Sequence, residues 1–164
     1  MKRADGGKQR YLRPGVKPSE AWAWAMYDFA NSAYTTIVIT AVFNAYFVAV
    51  VAEGASWATF AWTAALALSN ALIMLTAPVL GAYADVYAAK KRLLLLTTIG
   101  CVLTTALLAS VGRGNLWGAM ILLIFSNFFF GSGENIIAAF LPELARDDSV
   151  GKVSGWGWSL GYLG

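Results

Sequence analysis

Four times along this chain an apolar run of about 20 residues or more recurs, each long enough to cross a hydrocarbon core of roughly 30 Å as a helix. A soluble core does not need that length so often. Of the 164 residues, 59% are apolar or aromatic and 13% are charged, against roughly 45–50% and about 25% in soluble domains. The expected fold is all-α: a polytopic membrane helical bundle of four transmembrane helices plus the start of a fifth, with the lipid bilayer as its solvent.

The runs divide the chain into a basic tail at 1–20 and a transmembrane bundle at 21–164, with spans at about 21–51, 58–84, 93–111 and 116–141. A basic hinge occupies 85–92, a Gly-Arg-Gly-Asn turn 112–115, and Pro142 is expected to break the fourth span. Pro78 is expected to kink the second, freeing the carbonyl of Met74. The apolar stretch 153–164 is too short to span. It predicts a helix continuing beyond this chain, which is then the front part of a longer protein.

With four spans, eleven of the twelve Lys and Arg residues fall on one side and only Arg113 on the other. That asymmetry predicts a cytoplasmic N-terminus. The same clustering, with no basic helix or interleaved aromatics, gives no nucleic-acid face. The long first run lacks a small-residue cleavage site and reads as retained. Cys101 is the single cysteine and histidine is absent, so no disulfide, metal site or cofactor is expected.

Polar residues inside the spans are the informative exceptions. At about 100° per residue, Asp28, Asn31, Ser32, Thr35 and Thr36 share one arc of the first span, opposite Ala30, Ala33 and Ile37. Lipid penalises such an arc; water or protein does not. Interfacial placement of Asp28, beside Trp22, Trp24 and Tyr27, is the plainer alternative. In the fourth span Asn127, Gly131, Glu134 and Ala138 share a face, with Glu134 about 27 Å beyond Leu116, toward the cytoplasmic end. Asp28 and Glu134 are candidate coupling or gating groups, with Asn31, Ser32 and Asn127 as neutral companions in a cavity. Asn70 reads as helix-packing glue. The spacings Gly151 to Gly155 and Gly157 to Gly161 allow a neighbouring helix to approach closely.

The hinge "GAYADVYAAKKR" sets Gly81 one turn from Asp85, followed by Lys90, Lys91 and Arg92. It resembles the glycine–aspartate and basic signature between the second and third helices of the major facilitator superfamily, departing from it at Val86, Ala88 and Ala89, where arginine, glycine and a basic residue are common. With "YDFANSAY", "FLPELA" and "VSGWGWSLGYLG", the chain resembles that superfamily's vacuole-effluxer branch, the autophagy-related amino-acid exporters. The resemblance implies about twelve helices in two halves, a solute moved by alternating access through a central cavity lined by the first and fourth helices, and an aspartate that helps latch the halves. It implies as partners the missing C-terminal helices, a small-molecule solute such as an amino acid for efflux, and a proton as candidate coupling ion. The expected location is the cell membrane in a bacterium or the vacuolar membrane in a eukaryote.

Two other classes compete. A structural or assembly protein acting by helix contacts alone would explain the glycines but not the polar arcs. An intramembrane aspartyl protease would use Asp28 and Asp85, but Asp85 follows Gly-Ala-Tyr-Ala and adjoins a basic loop. The expectation is a protein that is not an enzyme.

Overall fold

The computed structural model describes residues 10–161, which are helical with no strand beyond one isolated β-bridge. The elements are α1 (Pro18–Tyr34), a π-helical stretch Thr35–Thr40, α2 (Val42–Tyr46), a second π-helical stretch Phe47–Val51, α3 (Ala58–Val86), α4 (Lys90–Leu108), α5 (Leu116–Ala138), α6 (Leu141–Leu144) and α7 (Val150–Gly161). Four segments are long and apolar enough to cross a membrane: Pro18–Val51, Ala58–Val86, Lys90–Leu108 and Leu116–Leu144. Helices are what the composition demands, because hydrocarbon offers backbone groups no water. Hydroxyls within the spans follow the same rule: Thr97, Thr98 and Thr104 each donate to the carbonyl one turn back, at 3.0, 2.6 and 2.7 Å.

Several element ends differ from the sequence reading, for local reasons. α1 starts at Pro18 because proline suits the first helical position and the Glu20 side chain accepts from the Lys17 amide at 3.0 Å. α3 runs through Pro78 to Val86. Pro142 does not break the fourth helix; α5 ends at Ala138 and Pro142 sits in the first turn of α6. α7 starts at Val150, earlier than the apolar stretch suggested, with the Val153 amide bonded to the carbonyl of Ser149. The first span is interrupted as well, with a bend at Ala41 between its π-helical and α-helical parts.

The chain forms two compact units. One comprises residues 39–136. Here Phe47, fully buried, packs on Trp62 with ring centroids 5.3 Å apart. The Tyr46 hydroxyl donates to the carbonyl of Val111 at 2.8 Å and the Gly114 amide to that of Val51 at 3.2 Å, tying the end of the first span to the α4–α5 turn. Asn127 meets Ser69 and Asn70 on α3, and a Cβ at Gly131 would lie 2.6 Å from Ile73. The contacts advance together, so α3 and α5 run parallel there, as helices two crossings apart must.

The turn after α3 closes as a Schellman motif. The Ala89 amide bonds the carbonyl of Ala84 at 2.9 Å, the Ala88 amide that of Asp85 at 3.5 Å, and Ala84 and Ala89 are both buried. Ala88 therefore carries φ +48°, the left-handed region that glycine adopts without steric cost. Ala88→Gly is expected to stabilise the hinge by about 0.5–1 kcal/mol, relief of the Cβ clash outweighing glycine's extra unfolded-state entropy. A raised thermal unfolding midpoint in detergent is the expected reading; a lowered one would mean that Ala88 carries no such strain.

The other unit comprises residues 10–38 and 137–161 of the described chain. Leu12 bridges to Ala145 in antiparallel fashion, and both are buried with Ala21 and Val153. Amide bonds from Arg13 to Leu144 and from Arg146 to Tyr11, at 3.0 and 3.1 Å, flank the bridge, and Arg13 pairs with Asp147 at 2.7 Å. The basic tail and the segment leading into α7 thus meet within this unit. α7 lies along α1.

Candidate functional site

Most of the polar arc of the first span lies along a shallow, open recess. Asp28, Ser32, Thr35 and Thr36, on successive turns of one helix face, line an open recess of about 310 Å³ that Trp158 and Gly161 of α7 border on the other side. Asn31, the fifth member of the arc, is half-buried and is not among the residues that line this recess. The Ser32 hydroxyl donates to the carbonyl of Asp28 at 3.0 Å, and that of Thr36 to the carbonyl of Ser32 at 3.4 Å. Their protons point along the helix, so their oxygens remain as acceptors beside the Asp28 carboxylate. That small group of acceptors, set in a mostly apolar lining, suits a hydrogen-bond donor or a cation with an apolar body.

Two glycines make the site possible. A Cβ at Gly161 would lie 2.9 Å from Asp28 Oδ2 and 3.2 Å from Ser32 Oγ, while one at Gly157 would lie 2.5 Å from the Trp24 ring. Trp24 is fixed in turn, its indole N–H donating to the carbonyl of Ile137 at 2.9 Å. α7 therefore seats on α1 through Gly157 and Gly161, the pair one helical turn apart. Gly155 does not share this contact, and neither does Gly151: nothing lies within 4 Å of either position. The π-helical stretch Thr35–Thr40 begins within the arc. Such wider turns recur at functional sites because they re-aim side chains on one face.

The second polar stripe is organised differently. Asn127, expected beside a cavity, is 4% exposed and lies between α3 and α5, its amide donating to Ser69 Oγ at 3.0 Å and Asn70 Oδ1 at 3.2 Å. Ser69 passes the chain on to the carbonyl of Ile124 at 2.9 Å. Asn70 is the packing glue its position suggested. Glu134 is half-buried, one turn beyond Gly131. Ser132, unremarked in the sequence, has its hydroxyl oxygen buried without a hydrogen-bond partner among the described residues.

At the hinge Asp85 pairs with Lys90 across the turn, Nζ to Oδ1 3.0 Å. Lys91 and Arg92 are exposed, and Gly81 faces open space with nothing within 4 Å. Among the described residues no cluster of His, Cys, Asp and Glu could hold a metal ion. The residues that sequence reasoning does not single out are Trp24, an interfacial aromatic by position whose ring meets Gly157, and Trp158, which borders the recess.

Comparison with known proteins adds the lineage. A family model described as "Vacuole effluxer Atg22 like" matches residues 45–155. The chain is also 32% identical, over 146 residues, to the uncharacterised MFS-type transporter YxiO of Bacillus subtilis strain 168, covering 87% of this chain and 34% of that protein. It spans about a third of the length of that curated relative. No solved structure matches it.

Proposed function

This chain belongs to the vacuole effluxer Atg22-like family of the major facilitator class, and we propose that it forms the N-terminal part of a transporter moving a small solute across the membrane by alternating access. The observation that carries the reading is the open recess at Asp28, flanked by the oxygens of Ser32 and Thr36, because an ionisable group within an apolar span is stable where water or a polar solute reaches it. The Asp28 carboxylate and its neighbouring oxygens favour a solute bearing an ammonium group, an amino acid for example, and the family's description as an effluxer supports export. Asp28 and Glu134 are the candidates for proton coupling or for an ion-paired inside gate. Position favours the gate, since both lie toward the basic side, away from the midplane where coupling sites sit. The contact of the tail with the segment after the fourth span supports a shared side for both, which the charge asymmetry makes cytoplasmic.

The test is radiolabelled amino-acid flux in vesicles containing the complete protein, against empty vesicles. Saturable flux is expected from the complete protein and none from residues 1–164 alone, since rocking one bundle against another needs both. Absence of flux for every amino acid tried would remove the ammonium-bearing class. Binding of a different solute at Asp28 would still leave a transporter.

A further inference from the structure

We propose that the unit comprising the tail, α1 and α7 binds an anionic phospholipid, with an acyl chain in the groove between α1 and α7 and the headgroup in a basic cleft at the groove's end. This goes beyond solute transport and does not depend on it. The groove, about 530 Å³, is walled by Leu12, Trp22, Trp24, Val153, Trp156 and Leu160, with little polar surface. The cleft, about 460 Å³, is lined by Arg10, Arg146 and Lys152 together with Asp148, Ser149 and Tyr11.

The two spaces meet along two pairs of consecutive residues. Tyr11 and Lys152 face the cleft, while Leu12 and Val153 face the groove. Tyr11 stacks edge-on against Trp156 at 5.8 Å, and Lys152 Nζ sits 4.8 Å above the Tyr11 ring, so the cation is held at the junction. Asp148 opposes an anion; it lies 3.5 Å from Arg146 and accepts from the Ser149 hydroxyl at 3.0 Å. Three cations against one carboxylate leave the lining net positive.

Charge complementarity selects the occupant. An apolar groove along a membrane helix, rimmed by tryptophan and ending at cations, matches a lipid with tail in the hydrocarbon and phosphate at the interface. The Lys- and Arg-rich face is the one expected to meet the anionic leaflet, where each basic residue near the surface strengthens binding about fivefold. A neutral lipid gains the groove but not the cleft.

The experiment measures tryptophan quenching in the complete detergent-purified protein by brominated phosphatidylglycerol and by brominated phosphatidylcholine of the same chains. Phosphatidylglycerol is expected to quench at a concentration at least about tenfold lower, from the combined effect of the cleft's cations. Arg10→Gln with Lys152→Gln should erase that difference, and Trp156→Phe should remove a distinct part of the quenching. Equal potency of the two lipids in the unaltered protein overturns the proposal, as does a preference that survives the double substitution. Absence of quenching, as when another helix fills the groove, also overturns it. So does displacement by inorganic phosphate at matching concentration, which would assign the cleft to a free anion. Should the charge variant fail to fold, the two-lipid comparison with Trp156→Phe decides the matter.

Discussion

Asp28→Asn in the complete transporter is expected to lower solute flux by about 10- to 100-fold while leaving the protein folded. The substitution keeps the shape of the side chain and removes its charge, so the recess with Ser32, Thr35, Thr36, Trp158 and Gly161 persists without its strongest acceptor. A hydrogen bond to a charged group contributes about 1.5–3 kcal/mol, which sets that range of loss for a cationic donor. Flux in vesicles and elution as a single species in size exclusion together check it. Loss of proton-driven accumulation with solute exchange intact would assign Asp28 to coupling. A bias in inside-against-outside accessibility would assign it to the gate. Unchanged flux would return Asp28 to the interfacial role.

Gly157→Ala should destabilise the fold by about 1–3 kcal/mol, although alanine is the better helix former by about 1 kcal/mol. The new methyl would sit 2.5 Å from the Trp24 ring. The ring cannot swing aside freely, because its N–H is bonded to the Ile137 carbonyl at 2.9 Å. Either α7 lifts from α1 or that bond breaks. Gly161→Ala is the contrasting case: its neighbour is the end of the Asp28 side chain at 2.9 Å, which a change of rotamer can move. Gly161→Ala is therefore expected to impair flux with a near-normal unfolding midpoint, and Gly157→Ala to lower the midpoint. A reversed pattern would contradict the seating of α7 on α1.

How far the sequence disclosed this arrangement depends on how local each cause is. The apolar runs predict the helices because backbone satisfaction in lipid leaves no other choice. The arc from Asp28 to Thr36 and the pair Gly157 and Gly161 were legible as same-face spacings, and the structure brings their faces together. The Asn127 stripe had an equally clear spacing, yet periodicity tells which residues share a face and not what that face meets. Ser69 and Asn70 of α3 supplied the answer. Leu12 was hidden for another reason: a lone leucine in a basic tail has no period, and its partner Ala145 is remote in sequence. The π-helical turns at Thr35–Thr40 and the left-handed Ala88 carry no propensity signal, since ordinary helix formers adopt both only under tertiary constraint.

The central claim is that the polar arc of the first helix meets water and not lipid, and thiol accessibility tests it directly. In a complete protein with Cys101 and any cysteine outside this chain replaced, single cysteines at Ser32, Thr35 and Ile37 are exposed to a charged, water-soluble thiol reagent. The account predicts rapid labelling at 32 and 35, slowed by transported solute, and little at 37, on the opposite face. Equal labelling at all three positions, or labelling at 37 alone, would contradict it.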